Sequence, residues 1–186
     1  MTQSRNSNQH VVCRRIKMAV PRIGLCLAVA FAILIAPLTA SSLRIQVAEP
    51  APDFALKSFA GENLRLSEYR GEVVMINFWA TWCGRCRDQL PKLDDLFAER
   101  RDDRFQLLSI SIDADEYRAR ETASDLQIDF PILFDDQKVV SRLYDLRTMP
   151  LTVLIDHSGT IRYVHEGYRG GDEKTYGAEL EILLAE

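Results

Sequence analysis

Two cysteines, Cys83 and Cys86, lie three residues apart in the run Trp-Cys-Gly-Arg-Cys. Two thiols at this spacing can form and open a disulfide reversibly. The apolar, branched segment before them, residues 73–78, predicts a buried strand, and apolar side chains recur at helical spacing after Cys86. Cys83 is therefore predicted at the N-terminus of a helix, where unpaired N–H groups and the helix dipole favour the reactive thiolate.

Composition limits what else the chain can do. Its 186 residues suffice for one domain with a core and a short appendage. Residues 1–22 carry five basic side chains and no acid, whereas the chain from residue 44 onward has 18 basic and 27 acidic residues, a net charge of −9. Because the folded part has no basic patch, we expect no nucleic-acid partner.

The basic head is followed by residues 23–43, which contain no charge. A basic region, an apolar stretch and a tail of small residues describe a cleavable signal peptide. The same 21 uncharged residues are also long enough to span a bilayer as an uncleaved anchor. In that case residues 1–22 form a cytoplasmic head. Either alternative exports the rest of the chain to a compartment where disulfides persist.

The cysteine count fits a redox couple better than a disulfide scaffold. Cys13 lies in the basic head and Cys26 in the apolar segment, so neither reaches the other two across a membrane. The exported part is then left with Cys83 and Cys86. A zinc site needs about four ligands, and no metal site is predicted.

The exported part divides into a linker, residues 44–52, which contains two prolines, and one domain, residues 53–186. The predicted elements are a hairpin of residues 54–56 and 64–66, strands at 73–79, 105–112, 151–155 and 160–165, and helices at 84–101, 115–126, 137–146 and 172–184. Parallel and antiparallel connections in this order imply an α/β fold, a mixed sheet covered by helices on both faces.

The chain resembles the TlpA/ResA-like branch of the thioredoxin superfamily, membrane-anchored thiol-disulfide oxidoreductases that face the periplasm or the cell exterior. The resemblance covers nearly all of residues 48–184. It is carried by Ala-Pro-Asp-Phe at 51–54, Asn-Phe-Trp-Ala-Thr-Trp-Cys-Gly-Arg-Cys at 77–86, Pro91, and Thr-Met-Pro at 148–150. It implies a thioredoxin-like fold and disulfide exchange with exported proteins.

The two thiols receive different roles. Cys83, at the helix start, is expected to attack the disulfide of a client protein. Cys86 begins an apolar face that continues through Leu90, Leu93 and Phe97, so it is expected to be shielded. It would act as the resolving thiol, which attacks the mixed disulfide and releases the client.

Four further positions are expected to tune the couple. Gly84 and Arg85 lie between the cysteines, and Arg85 replaces the proline that the family usually has there. A guanidinium near the thiolate favours the reduced form, which makes the couple more oxidising, unless Arg85 simply points into water. Asn77 and Gln89 occupy positions where thioredoxin or its membrane-anchored branch has an acid, and amides accept no proton at neutral pH.

The resemblance also places a client-binding surface beside the couple. Met149 and Pro150 match the loop that holds a cis-proline against the cysteines in this superfamily. Such a loop turns its backbone outward, so that a client strand can pair with it. Trp82 is expected to line the surface beside Cys83, whereas Trp79 is expected to pack in the core.

The resulting hypothesis is a thiol-disulfide oxidoreductase that needs no cofactor, located at the inner membrane with its domain in the periplasm, or free in the periplasm after cleavage. The resemblance implies exported clients with disulfides or dithiols, reduction during cytochrome c or copper-site assembly, and a membrane electron donor. One alternative is a binding module, either a copper-binding chaperone or a client-binding protein, that uses the two thiols and Met149 as soft ligands. A thiol peroxidase is another alternative, although Ala80 stands where the related peroxidases have threonine.

Overall fold

The structure, a computed structural model, describes residues 45–100 and 104–186 of the chain. Its elements in chain order are β1 (Ala55–Lys57), β2 (Asn63–Arg65), a 3-10 helix (Leu66–Tyr69), β3 (Val73–Trp79), α1 (Gly84–Ala98), β4 (Phe105–Ser111), α2 (Glu116–Asp125), β5 (Ile132–Phe134), α3 (Val139–Leu143), β6 (Leu151–Ile155), β7 (Ile161–Glu166) and α4 (Asp172–Leu184).

Five of the strands form one mixed sheet in the order β5-β4-β3-β6-β7. Strand β3 lies at the centre of the sheet, and all seven of its residues are buried, as its largely apolar sequence favours. It pairs parallel with β4 and antiparallel with β6, and β4 pairs parallel with β5. Strands β1 and β2 form a separate antiparallel pair.

Alternating residues of β3 supply two cores on opposite faces of the sheet. Val73, Met75 and Trp79 point to the face covered by the apolar sides of α1, α2 and α4. Val74, Ile76 and Phe78 point to the other face, which is covered by α3 and the segment around Phe54. This is the predicted mixed sheet with helices on both faces. Its consequence for the site is that the end of β3 is held rigidly between two packed layers.

Residues 48–51 bind to the sheet edge, although the sequence analysis places them in a linker. The Ala48 N–H donates to the Ile161 carbonyl at 2.8 Å, and the Ala51 N–H donates to the Gly159 carbonyl at 3.0 Å. The Ala51 side chain is buried. These contacts attach the C-terminal half of that segment to the domain.

Several predicted boundaries differ from those of the structure. Helix α1 ends at Ala98 and α3 spans only Val139–Leu143. Strand β5 was not predicted, since three apolar residues after Pro131 are too few to show a period. Within α1 the buried positions are Cys86, Gln89, Leu90, Leu93 and Leu96, whereas the predicted Phe97 is only partly buried.

The predicted head and anchor, residues 1–22 and 23–43, lie outside the described residues. Within the described ranges, 45–100 and 104–186, no helix has the length and apolar character needed to cross a membrane.

The β6–β7 turn is organised by one carboxylate. Asp156 accepts hydrogen bonds from the Ser158 N–H at 2.9 Å and the Thr160 N–H at 3.0 Å, and the Arg162 guanidinium donates to it at 3.2 Å. Burial raises the pKa of Asp156, but the hydrogen bonds from the Ser158 side chain, Thr160 and Arg162 outweigh this effect and lower the pKa overall.

Candidate active site

Cys83 and Cys86 form a disulfide at the start of α1, with their Cα atoms 5.2 Å apart. Cys83 is the N-cap residue of the helix, and its sulfur accepts a hydrogen bond from the Cys86 N–H at 3.2 Å. Cys83 retains 9% exposure, whereas Cys86 has none. The structure is therefore that of the oxidised couple, and Cys83 is the member that a partner can reach.

The turn that leads from β3 to Cys83 is held by a buried carboxylate that the sequence analysis missed. Asp113, which is 6% exposed, accepts hydrogen bonds from the Thr81 N–H at 2.9 Å and the Thr81 hydroxyl at 2.8 Å. The Ser111 hydroxyl donates to the same carboxylate at 2.9 Å. The available signal was the position of Asp113 just after β4, because adjacent parallel strands end at the same sheet edge.

The peptide bond between Met149 and Pro150 is cis, as predicted. Pro150 is buried, whereas Met149 is half-buried and packs against both cores. The Gly167 N–H donates to the Pro150 carbonyl at 2.7 Å, which ties the β7–α4 loop to the proline. Gly167 has φ +79°, a left-handed conformation that favours glycine.

Asn77 and Gln89 meet in a buried polar network, since neither side chain has any exposure. The Asn77 amide donates to Gln89 Oε1 at 2.7 Å, and Gln89 Nε2 donates to the Thr152 hydroxyl at 3.1 Å. The Ser109 hydroxyl donates to Asn77 Oδ1 at 3.4 Å. The two positions at which relatives are expected to carry an acid therefore contact each other, and their amides satisfy each other.

The Tyr176 hydroxyl is buried close to this network. It approaches Gln89 and Thr152 but has no hydrogen-bond partner among the described residues. Burial raises the pKa of Tyr176 to about 12, with a further contribution from the charge of Asp172. A phenol is already neutral at physiological pH, and the raised pKa extends this neutrality to higher pH.

The remaining predicted site residues lie on the surface around the couple. Trp82 is 69% exposed, whereas Trp79 is fully buried, as expected. Gly84 is exposed, and a Cβ atom there would meet nothing within 4 Å. Arg85 is exposed, and one of its guanidinium nitrogens would lie 4.0 Å from a Cβ atom on Gly167, so the side chain lies beside the β7–α4 loop.

Within the described part of the chain, no group of three or more His, Cys, Asp or Glu side chains is placed to hold a metal ion. The two histidines in it make other contacts. Both ring nitrogens of His157 face backbone carbonyls, those of Gly71 and Leu183. His165 contacts Glu179 at 2.6 Å.

Comparison with known proteins decides what kind of site this is. The AhpC/TSA family model matches residues 47–164. The chain belongs to this family. It is 32% identical over 123 residues to the thiol-disulfide oxidoreductase ResA of Geobacillus kaustophilus, covering 66% of this chain and 71% of that protein. It is 35% identical over 126 residues to the thioredoxin-like protein YneN of Bacillus subtilis, covering 66% and 73% respectively.

A solved structure gives the same result. The putative thiol:disulfide interchange protein DsbE of Chlorobium tepidum aligns with a TM-score of 0.72 at 31% identity, covering 75% of this chain and 99% of that one. The predicted resemblance is thus confirmed. The protein is a thiol-disulfide oxidoreductase with a thioredoxin-like fold.

Proposed function

We propose that this oxidoreductase reduces disulfides of exported client proteins, with Cys83 as the attacking thiol and Cys86 as the resolving thiol. The observation that carries the assignment is the unequal burial of the two cysteines at the start of α1. A client sulfur can approach Cys83 from solvent, whereas it cannot approach Cys86 without opening the core. The helix N-terminus also favours the Cys83 thiolate once the disulfide is reduced.

The reaction consists of two exchange steps. The Cys83 thiolate attacks one sulfur of the client disulfide, so that a Cys83–client bond forms and the other client sulfur leaves as a thiolate. Cys86, after losing its proton, then attacks the Cys83 sulfur and expels the second client thiolate. The client gains two electrons and two protons, and the protein returns to the disulfide seen here. A dithiol donor at the membrane would supply the electrons for the next cycle.

Client binding is assigned to the surface around the couple. Trp82, which is exposed, and Met149, which is half-buried, would contact the client beside Cys83. The backbone beside the cis-proline would pair with an extended client segment, and main-chain hydrogen bonds of this kind place little demand on the client sequence.

The direction of exchange depends on the groups that tune the couple. Arg85 stabilises a thiolate at Cys83 and therefore shifts the couple towards the oxidising end. Asn77 and Gln89 offer no buried base to deprotonate Cys86. Reduction of clients is proposed because the chain is similar to ResA and YneN. The resolving step should be slower than it would be with a buried acid next to Cys86.

The proposed setting follows from the N-terminal sequence. Residues 1–22 would remain in the cytoplasm, residues 23–43 would anchor the protein or be cleaved, residues 44–47 would link, and the domain with the attached residues 48–52 would act in the periplasm. The proposed clients are apo-proteins whose cysteines must be reduced before a haem or copper site is assembled.

Trapping in vivo tests the proposal. A Cys86→Ser variant should accumulate mixed disulfides between Cys83 and its clients, visible on non-reducing gels and lost on addition of reductant. Cys83→Ser is the matched control and should trap nothing. If only Cys83→Ser traps clients, the roles of the two thiols are reversed. Tight copper(I) binding by a protein that fails to reduce insulin would instead support the copper chaperone.

A further inference from the structure

We infer that the cleft between Arg85 and the β7–α4 loop binds a carboxylate side chain next to the reactive cysteine of the client. This inference rests on the proposed function and assigns a substrate preference to the same site. The cleft has a volume of about 330 Å³ and is lined by Arg85, Thr148, Glu166, Gly167, Tyr168, Arg169 and Asp172.

The position of the cleft places it on the path of a bound client. Arg85 lies between the two cysteines in sequence, and Thr148 immediately precedes the cis-proline dipeptide. The loop on the far side is fixed to Pro150 by the Gly167 N–H at 2.7 Å. A client segment that pairs with the Met149 backbone while its cysteine bonds to Cys83 therefore passes the cleft within one or two residues.

The acidic side chains of the lining are engaged by the protein itself. Asp172 accepts a hydrogen bond from the Arg169 N–H at 2.8 Å and lies in the first turn of α4, where the helix dipole favours its charge. Glu166 accepts a longer hydrogen bond, 3.3 Å, from the Thr148 hydroxyl. Of the two, Glu166 retains more capacity to repel an incoming carboxylate.

The two guanidinium groups of the lining, by contrast, are not bound by other side chains that the structure describes. Across residues 45–100 and 104–186, neither Arg85 nor Arg169 forms an ion pair or a side-chain hydrogen bond. Both side chains are exposed. Since a planar guanidinium matches a carboxylate with two parallel hydrogen bonds, the lining offers its unused donors to an acidic group.

The preference should arise at contact and not at long range. The chain from residue 44 onward carries a net charge of −9, so the field of the whole domain does not attract acidic clients. An exposed arginine–carboxylate contact changes binding by about two- to fivefold. Salt should weaken the preference, because these groups are accessible to counterions.

Matched peptides test the inference on the purified full-length protein. Three peptides, each with one internal disulfide, differ only in whether Glu, Gln or Lys lies beside one cysteine. The second-order rate constant of their reduction by the pre-reduced protein, which is itself oxidised to the Cys83–Cys86 disulfide, is divided by the rate constant of their reduction by dithiothreitol, and this removes the intrinsic effect of the charge on the disulfide. We expect the order Glu, Gln, Lys, with a Glu-to-Gln ratio of about two to five that falls towards one in high salt.

Two variants should shift the Glu-to-Gln ratio in opposite directions. Arg169→Gln should lower it, since only Arg85 then remains, whereas Glu166→Gln should raise it about twofold. Arg87→Gln, a change at an exposed arginine of α1 outside the cleft, should leave it unchanged. A damaged fold would not produce opposite shifts in the two variants.

Two results would overturn the inference alone. One is an equal normalised rate for the Glu and Gln peptides in the unmodified protein, and the other is a preference for the Lys peptide, which would assign the cleft to cationic clients through Glu166 and Asp172. Failure to reduce any of the three peptides would instead overturn the proposed reducing function, and the preference with it.

Discussion

Replacing Gln89 by glutamate tests whether the folded protein is stable only when the buried polar network of Asn77, Gln89 and Thr152 is uncharged. Gln89 has no exposed surface and bonds Asn77 through Oε1 and Thr152 through Nε2. In a protonated carboxyl the O–H replaces the amide N–H, so both hydrogen bonds can persist. An ionised carboxylate at the same place would be a buried charge without a cationic partner among the side chains that bond Gln89.

The expected cost follows from linkage. Burial raises the pKa of a carboxyl group, and a rise of about 2 units is moderate for a fully buried site. The unfolded state has a glutamate pKa of about 4.3. Between that pH and the raised folded value, the folded variant holds a proton that the unfolded chain releases. Stability therefore falls as the pH rises through this window, by about 1.4 kcal/mol per unit and about 2.7 kcal/mol in all.

Urea unfolding of the oxidised protein at pH values from 4 to 8 measures this cost. The difference between the parent protein and Gln89→Glu should be small at pH 4 and should reach its full value above about pH 6.5. Gln46→Glu, the same change at an exposed residue, should show no such slope. A constant difference across the whole pH range would refute the reasoning, because it would mean that the introduced carboxyl does not titrate in a buried site.

Three further predictions concern the supports of the site and the fold. Asp113→Asn should cost about 2–3 kcal/mol in urea unfolding, since it removes an ionic acceptor from Thr81 and Ser111; a loss below 0.5 kcal/mol, the size of an ordinary surface change, would contradict this. Asp156→Asn should cost about 1 kcal/mol at pH 6 and little at pH 2, because the folded pKa is lowered and its contribution disappears as acid protonates the carboxylate; an equal cost at both pH values would contradict it. Tyr144→Phe should lower the melting temperature through loss of about 1 kcal/mol, since the hydroxyl of the buried Tyr144 donates to the Pro52 carbonyl at 2.9 Å; Tyr117→Phe, at a 72% exposed residue, is its control.

The parts of the fold that the sequence predicted well are those with a local signal. Strands β3 and β6 and helix α4 have the predicted bounds, Val73–Trp79, Leu151–Ile155 and Asp172–Leu184. The two strands are largely apolar runs, and the helix has an amphipathic period. Strand β5 has three residues, and its pairing with β4 is decided by packing against the sheet and not by its own pattern.

The same distinction between local and non-local signals applies to the active site. The cysteine spacing and the Met-Pro dipeptide are local, so sequence reasoning found them. The hydrogen bonds of Asp113 to Thr81 join residues 32 positions apart, and the contact of Gln89 with Thr152 joins residues 63 positions apart. No local pattern marks the second pair, and the first could be inferred only from the shared sheet edge at which β3 and β4 end. The position of Arg85 beside Gly167 likewise depends on where the β7–α4 loop is fixed.

Because the buried polar network next to the cysteine couple is neutral, charged groups at the surface have the larger electrostatic influence on the couple. A buried acid acts strongly on a nearby thiol, and its effect changes with pH and hardly with salt. The side chains in contact behind Cys86 are instead two amides, hydroxyls and a neutral phenol. Arg85 is exposed, so its proposed effect on Cys83 would be weaker than that of a buried acid and sensitive to salt. The exchange equilibrium of this protein should therefore respond to ionic strength and to the charge of its client more than to pH in the range where carboxylates titrate.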